Sequence, residues 1–152
     1  MTLSEYYISL SLKTKQKDMC KVKKGIEELI SSLRDYLDSP EDLYEILENI
    51  PISMYSGALR GGDFLATDEG CWIGIVSKQL RCQDYHSYMV YVMIHKDHYE
   101  DYTVAQVSKT GNSGPWSFSR VANPKEIKAL LATIKSARYK WDPKSLQISR
   151  EV

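Results

Sequence analysis

The stretch Tyr85-His86-Ser87-Tyr88-Met89-Val90-Tyr91-Val92-Met93-Ile94-His95 decides the fold. Its apolar run, Tyr88 to Ile94, is strand-sized and falls far short of the ~18 residues needed to cross a bilayer. It is built from the β-branched and aromatic residues that suit a pleated surface. Read at period two, Val90, Val92 and Ile94 fall on one face with His86 and Tyr88, while Tyr85, Met89, Tyr91 and Met93 fall on the other. The all-apolar Val-Val-Ile face is expected to meet helices, leaving a Tyr/Met face outward.

Working outward, the pattern from Ile52 to Val121 stays strand-like. Phe64–Ala66, Cys71–Ser77, Tyr102–Lys109 and Trp116–Val121 read as further strands, with turn signals at Gly61-Gly62-Asp63 and Asp68-Glu69-Gly70. Thr110-Gly111-Asn112-Ser113-Gly114 reads as a hairpin loop joining the last two strands. Short connections make neighbouring strands antiparallel.

On the N-terminal side, Tyr6, Ile8, Leu10 and Leu12 alternate with Tyr7, Ser9, Ser11 and Lys13, which predicts an opening strand. Met19, Val22, Ile26, Leu29, Ile30, Leu33 and Leu37 then recur at helical spacing, with Gly25 inside the run as a mark of close packing. A second helix starts at Ser39-Pro40-Glu41-Asp42, a cap followed by an N1 proline and two acids, and carries Leu43, Ile46, Leu47 and Ile50 before Pro51. The short connection makes these two helices an antiparallel pair.

On the C-terminal side, Asn123-Pro124-Lys125-Glu126 is a capping box. It opens a helix over Ile127, Leu130, Leu131, Ile134 and Trp141 that stops at Pro143. Ser145–Ser149 is left for a short edge strand. The expectation is one α+β domain over residues 1–152, with an antiparallel sheet of about five strands. An N-terminal helix pair and a C-terminal helix pack on one face, in the order β-α-α-β-β-β-β-α. That order resembles the N-acetyltransferases, but Val121-Ala122-Asn123-Pro124-Lys125-Glu126 lacks the glycines of that family's pyrophosphate turn, so the resemblance implies no activity.

Composition narrows the function classes. The chain has 152 residues, 43% hydrophobic and 26% charged, with a formal net charge of zero. These are the values of a globular domain, and no bulk charge advertises a membrane or nucleic acid. Residues 1–7 lack a basic segment followed by an apolar one, and three cysteines without CxxC spacing suit a reducing compartment, so cytoplasm is expected. The charge is polarised along the chain. Lys13 to Ile26 carries six lysines against Asp18, a net +5, and Glu27 to Glu48 carries eight acids against Arg34, a net −7. Arg120 to Val152 is again +5, from eight bases and three acids.

No catalytic or cofactor motif is present. Gly61-Gly62 and Gly111–Gly114 lack phosphate-loop spacing, and no HExxH or CxxC completes a metal site. The chain is therefore read as a non-catalytic binding protein of the inhibitor, immunity or antagonist type, with no cofactor and no metal. Its expected partner is another protein with a basic surface. The contacts fall to an acidic helix pair bearing Tyr36, Glu41, Asp42, Tyr44, Glu45 and Glu48, or to the Tyr/Met face bearing Tyr85, Met89 and Tyr91. Tyrosine and methionine suit adaptable protein-binding faces, and an aromatic sheet face on a neutral chain allows a homodimer. The alternative is a pocket enzyme or ligand binder using His95, His98 and Asp101. The third reading, nucleic-acid binding through a basic last helix with Arg138, Lys140 and Trp141, is disfavoured by the zero net charge.

Overall fold

The structure, a computed structural model, describes residues 2–37, 40–81, 88–98, 101–115 and 118–151, with backbone alone for 6–19, 40 and 79–81. Helix α1 runs Leu3–Tyr36, so the expected opening strand is absent and Tyr6 to Lys13 is helical. Two features outweigh the alternation there. Thr2 and Glu5 form a capping box, with the Glu5 N–H donating to Thr2 Oγ1 (3.2 Å) and the Thr2 N–H to Glu5 Oε2 (2.9 Å). No Gly, Pro or Asn then occurs before Gly25 to turn the chain from a strand into a helix.

Helix α2 spans Pro40–Leu47; the Ser39 cap expected for it lies outside the described residues. Two short 3₁₀ turns, Ile52–Met54 and Ser56–Ala58, lead into the sheet. The strands are β1 (Phe64–Thr67), β2 (Trp72–Arg81), β3 (Tyr88–Lys96), β4 (Tyr102–Ser113) and β5 (Phe118–Val121), antiparallel in the spatial order β4-β3-β2-β1-β5. Helix α3 (Pro124–Ser136) follows, with the expected capping box: Glu126 N–H to Asn123 Oδ1 at 2.8 Å, and Asn123 N–H to Glu126 Oε1 at 3.0 Å. A hairpin of β6 (Tyr139–Asp142) and β7 (Gln147–Arg150) closes the described chain. The fold is α+β, as the sequence predicts.

Three local expectations are corrected. Thr110–Gly114 is not a hairpin loop between neighbours. Residues 110–113 belong to β4, and β5 pairs with β1 at the opposite edge of the sheet. The glycine signal marks an excursion inside β4: Val107 pairs with Val92 and Asn112 with Val90, and Gly111 between them takes a positive φ of 101°. Second, Arg138, Lys140 and Trp141 are not on the last helix. Arg138 turns left-handed (φ 66°) just after α3, and Tyr139 and Trp141 alternate inward against outward Lys140 and Asp142 on β6.

Third, the two-faced reading of β3 breaks at Tyr91. Ile75 pairs with Val92 but Val76 with Val90, so Tyr91 is an extra residue in β3. A one-residue slip exchanges faces. Val92 and Ile94 keep the expected side: Ile94 stands opposite both Ile73 and Val104, and Val104 lines the groove under α3. Val90 moves to the other side, beside Gly74. Tyr91 is buried against Trp141 of the hairpin (centroids 5.6 Å apart), with its hydroxyl accepting from the Lys78 N–H at 3.2 Å.

One core cluster joins all layers, from Ile30 through Leu43, Leu47, Ile73, Ile94 and Leu130 to Ile148. It holds two phenols tightly. Tyr55 donates to the Ile50 carbonyl (3.2 Å) and accepts from the Val121 N–H (3.3 Å), and burial pushes its hydroxyl up to about 12. Burial, reinforced by Asp63, raises Tyr44 well above its ordinary range. A raised folded-state pKa means the folded protein holds the proton more tightly. That stability is fully present below the unfolded value of 10.0 and is lost as pH climbs through about 12. The urea midpoint is therefore expected to fall between pH 10 and 12, and Tyr55→Phe to flatten that fall; an unchanged slope would remove Tyr55 as its source.

Candidate interaction site

Helix α2 has one buried side and one charged side. Leu43, Tyr44 and Leu47 are almost fully buried, while Glu41, Asp42, Glu45 and Ile46 are exposed and Glu48 is half-buried. The spacing dictates this: residues i, i+1 and i+4 share about a third of the helical circumference, and the acids occupy the rest. Tyr44 is thus a correction to the expected contact set. It is a core residue, edge-on to Phe64 (6.3 Å, 67°), and no partner reaches it. Tyr36, at the end of α1, is exposed as a contact residue must be.

What fixes α2 is a polar cluster that sequence reasoning missed. Arg34 reaches from α1 to Asp63 in a two-pronged ion pair, Nη1–Oδ1 2.9 Å and Nη2–Oδ2 2.6 Å, and also donates to the Ala58 carbonyl at 3.1 Å. The Tyr44 hydroxyl donates to Asp63 Oδ1 (2.8 Å) and accepts from the Phe64 N–H (3.2 Å). The Arg60 N–H donates to Asp63 Oδ2 (2.8 Å). Asp63 therefore ties α1, α2 and the start of β1 to one carboxylate. Burial opposes the charge on Arg34, but the hydrogen bond and charge of Asp63 outweigh it and raise its pKa. The available signal was Arg34 as the lone base among eight acids.

The consequence is electrostatic. Asp63 pairs with Arg34 away from solvent, so the one base between Glu27 and Glu48 is withdrawn from the surface. Glu27, half-buried, accepts from the Gly57 N–H (3.0 Å) and sits 4.0 Å from Lys23. Glu28, Asp35, Glu41, Asp42 and Glu45 are exposed.

Among the described residues the Tyr/Met face does not assemble. Tyr91 and Met93 are buried, and Met89 is half-buried, with its sulfur 3.9 Å from the Ser113 hydroxyl. Tyr85, with Cys82, Asp84 and His86, lies outside the described residues. Nor does the histidine cluster converge. His95 stacks on Trp72 (4.1 Å, 40°), while His98 and Asp101 are exposed residues of the β3–β4 turn, where the Asp101 N–H donates to Asp97 Oδ1 (3.0 Å). Among the described residues no three His, Cys, Asp or Glu side chains are grouped to hold a metal. Trp141 is half-buried and packs on Tyr91.

At the opposite end of the sheet core, Arg120 of β5 makes a second two-pronged pair with Glu126 of α3 (2.6 and 3.0 Å). Tyr102 donates to the Gly70 carbonyl at 2.7 Å, and Ser119 bonds Asp68. An open groove of about 420 Å³ runs between β4 and α3, lined by Tyr102, Val104, Thr133 and Ser136. It offers hydroxyls and methyls, and among the described residues its lining carries no carboxylate, histidine or lysine. No helix among the described residues is long and apolar enough to cross a membrane.

Compared with known proteins, the chain matches no family model, no curated protein and no solved structure.

Proposed function

We propose that this chain is a non-catalytic binding protein that occludes a basic surface of another protein through the acidic ridge of α2. The observation that carries the reading is the ridge itself. Glu41, Asp42 and Glu45 stand exposed on a helix whose other side is fixed by Leu43, Tyr44 and Leu47, with Tyr36 exposed nearby in the chain. A charged ridge on a rigid mount steers a basic partner during encounter, and such steering shows in the association rate and its salt dependence. Tyr36, exposed at the end of α1, adds an aromatic that can supply apolar contact once docked.

Affinity capture from the native host followed by binding kinetics tests this. Asp42→Lys with Glu45→Lys is expected to slow association with the captured protein about tenfold or more at low salt, and to flatten the salt dependence. Association that keeps its rate and its salt slope in the double variant would remove the α2 ridge from the interface.

A further inference from the structure

Helix α1 carries a surface that its own chain does not cover. At 34 residues it is about 51 Å long, and it rests on the body through Ile30, Leu33 and Arg34, with Glu27 bonded to the Gly57 N–H. Val22, Leu29 and Tyr36 recur every seven residues off that contact and are 54%, 59% and 85% exposed. Residues seven apart lie within about 20° of one another around a helix, so the three form one apolar line. Gly25 lies along this line, and a methyl there would touch nothing within 4 Å. The close packing that its glycine suggests has no counterpart among the described residues.

We propose that this line pairs with the same line of a second copy, the two α1 helices running antiparallel about a two-fold axis near Leu29. Charge selects both the occupant and the direction. On α1 itself, residues 13–26 carry +5, while residues 27–36 carry −2, from Glu27, Glu28 and Asp35 against Arg34. A parallel pairing lays like charge on like, whereas an antiparallel one about Leu29 brings Lys21 and Lys23 of each helix level with Asp35 of the other. The surface is therefore complementary to itself, the requirement of a two-fold interface. With the axis at Leu29, Val22 meets Tyr36 of the partner subunit. Lys21, exposed on the flank of the line, lies by Asp35 of the partner subunit. Gly25 lets the two backbones approach. The inference does not rest on the α2 reading: it shares Tyr36 with that contact set but none of the acids of α2.

Sedimentation velocity on the full chain across tens of micromolar, at low and high salt, tests it. The expected result is a monomer–dimer equilibrium that weakens as salt rises. Leu29→Asp is expected to raise the dimer dissociation constant at least about tenfold while circular dichroism stays unchanged, since Leu29 is not in the core. Lys21→Glu and Asp35→Lys are each expected to weaken the dimer, and the two together to restore it. A chain monomeric throughout that range overturns the proposal, as does a dimer indifferent to Leu29→Asp. Failure of the paired reversal to restore association overturns the antiparallel register. Leu29→Asp leaving partner capture intact separates this interface from the α2 ridge.

Discussion

Replacing Asp63 with alanine is expected to lower the unfolding free energy by about 3–5 kcal/mol, the range for breaking a buried ion pair by removing one partner. The side chains of Arg34 and Asp63 are 13% and 5% exposed, so solvent cannot replace what is lost. Four donors converge on the carboxylate: two from Arg34, the Tyr44 hydroxyl and the Arg60 N–H. Alanine leaves a guanidinium without its counter-charge and a phenol without its acceptor, and each pays its desolvation penalty in full. Asp63→Asn keeps one acceptor oxygen and is expected to cost less. The informative comparison is Arg34→Met with Asp63→Leu. Removing both charges together should cost well under the sum of the single losses, because no charge is stranded. Urea denaturation of the four proteins measures this, and additive losses would show that the pair does not act as a unit. The same variants bear on binding, because Asp63 holds α2 against the body. Asp63→Ala is expected to weaken capture of a basic partner without altering any exposed acid.

How far the sequence announces these features depends on whether the controlling interaction is local. Both capping boxes are local, and Asn123–Glu126 is legible at once. Thr2–Glu5 is equally local, yet an eight-residue alternation over Tyr6 to Lys13 points to a strand. Apolar residues at both parities (Tyr6, Tyr7, Ile8) satisfy either period, and the missing turn residues before Gly25 decide for the helix. The sheet strands are legible because each carries its own pattern. Their spatial order is not, since nothing near Thr110–Gly114 states that the next strand pairs with β1 at the far edge. The bulge at Tyr91 is set by its neighbours, by pairing on both flanks and by Trp141 arriving fifty residues later. It moves Tyr91 from the expected outer face into the core. Tyr44 follows the same logic, because its hydroxyl is satisfied by Asp63, a partner no helical spacing reveals. The acids of α2 were legible because exposure needs no partner, and the ridge reading rests on them.

Gly74→Val is the second substitution with a large expected effect, and it tests the face of the sheet turned away from α3. Gly74 sits in β2, paired with Leu65 on one side and Met93 on the other. A Cβ there would stand 3.1 Å from Phe118 Cζ, 3.2 Å from Val90 Cγ1 and 3.3 Å from the Val92 carbonyl oxygen. Two opposing effects apply. Removing a glycine from a strand favours folding by roughly 0.5–1 kcal/mol, and valine suits a strand better still. Overpacking a filled site costs about 1–3 kcal/mol and occasionally more. The steric cost wins here, because β2 is hydrogen-bonded on both sides and one obstacle is backbone, so neither can move away cheaply. A net loss of about 2 kcal/mol or more is expected for valine, and a smaller one for alanine. Phe118 reaches this position from β5 at the sheet edge, and Gly114 admits the same ring, whose Cε2 would lie 3.0 Å from a methyl there. Shortening the ring should therefore relieve the clash. Phe118→Leu alone destabilises by opening a cavity. In the Gly74→Val background the same change is expected to cost far less, with a coupling energy of at least about 1 kcal/mol between the two sites. Strict additivity of the two losses would mean that the Phe118 ring does not cover Gly74. The outer face would then be open at its centre, and an aromatic docking surface there would return as a competitor to the α2 ridge.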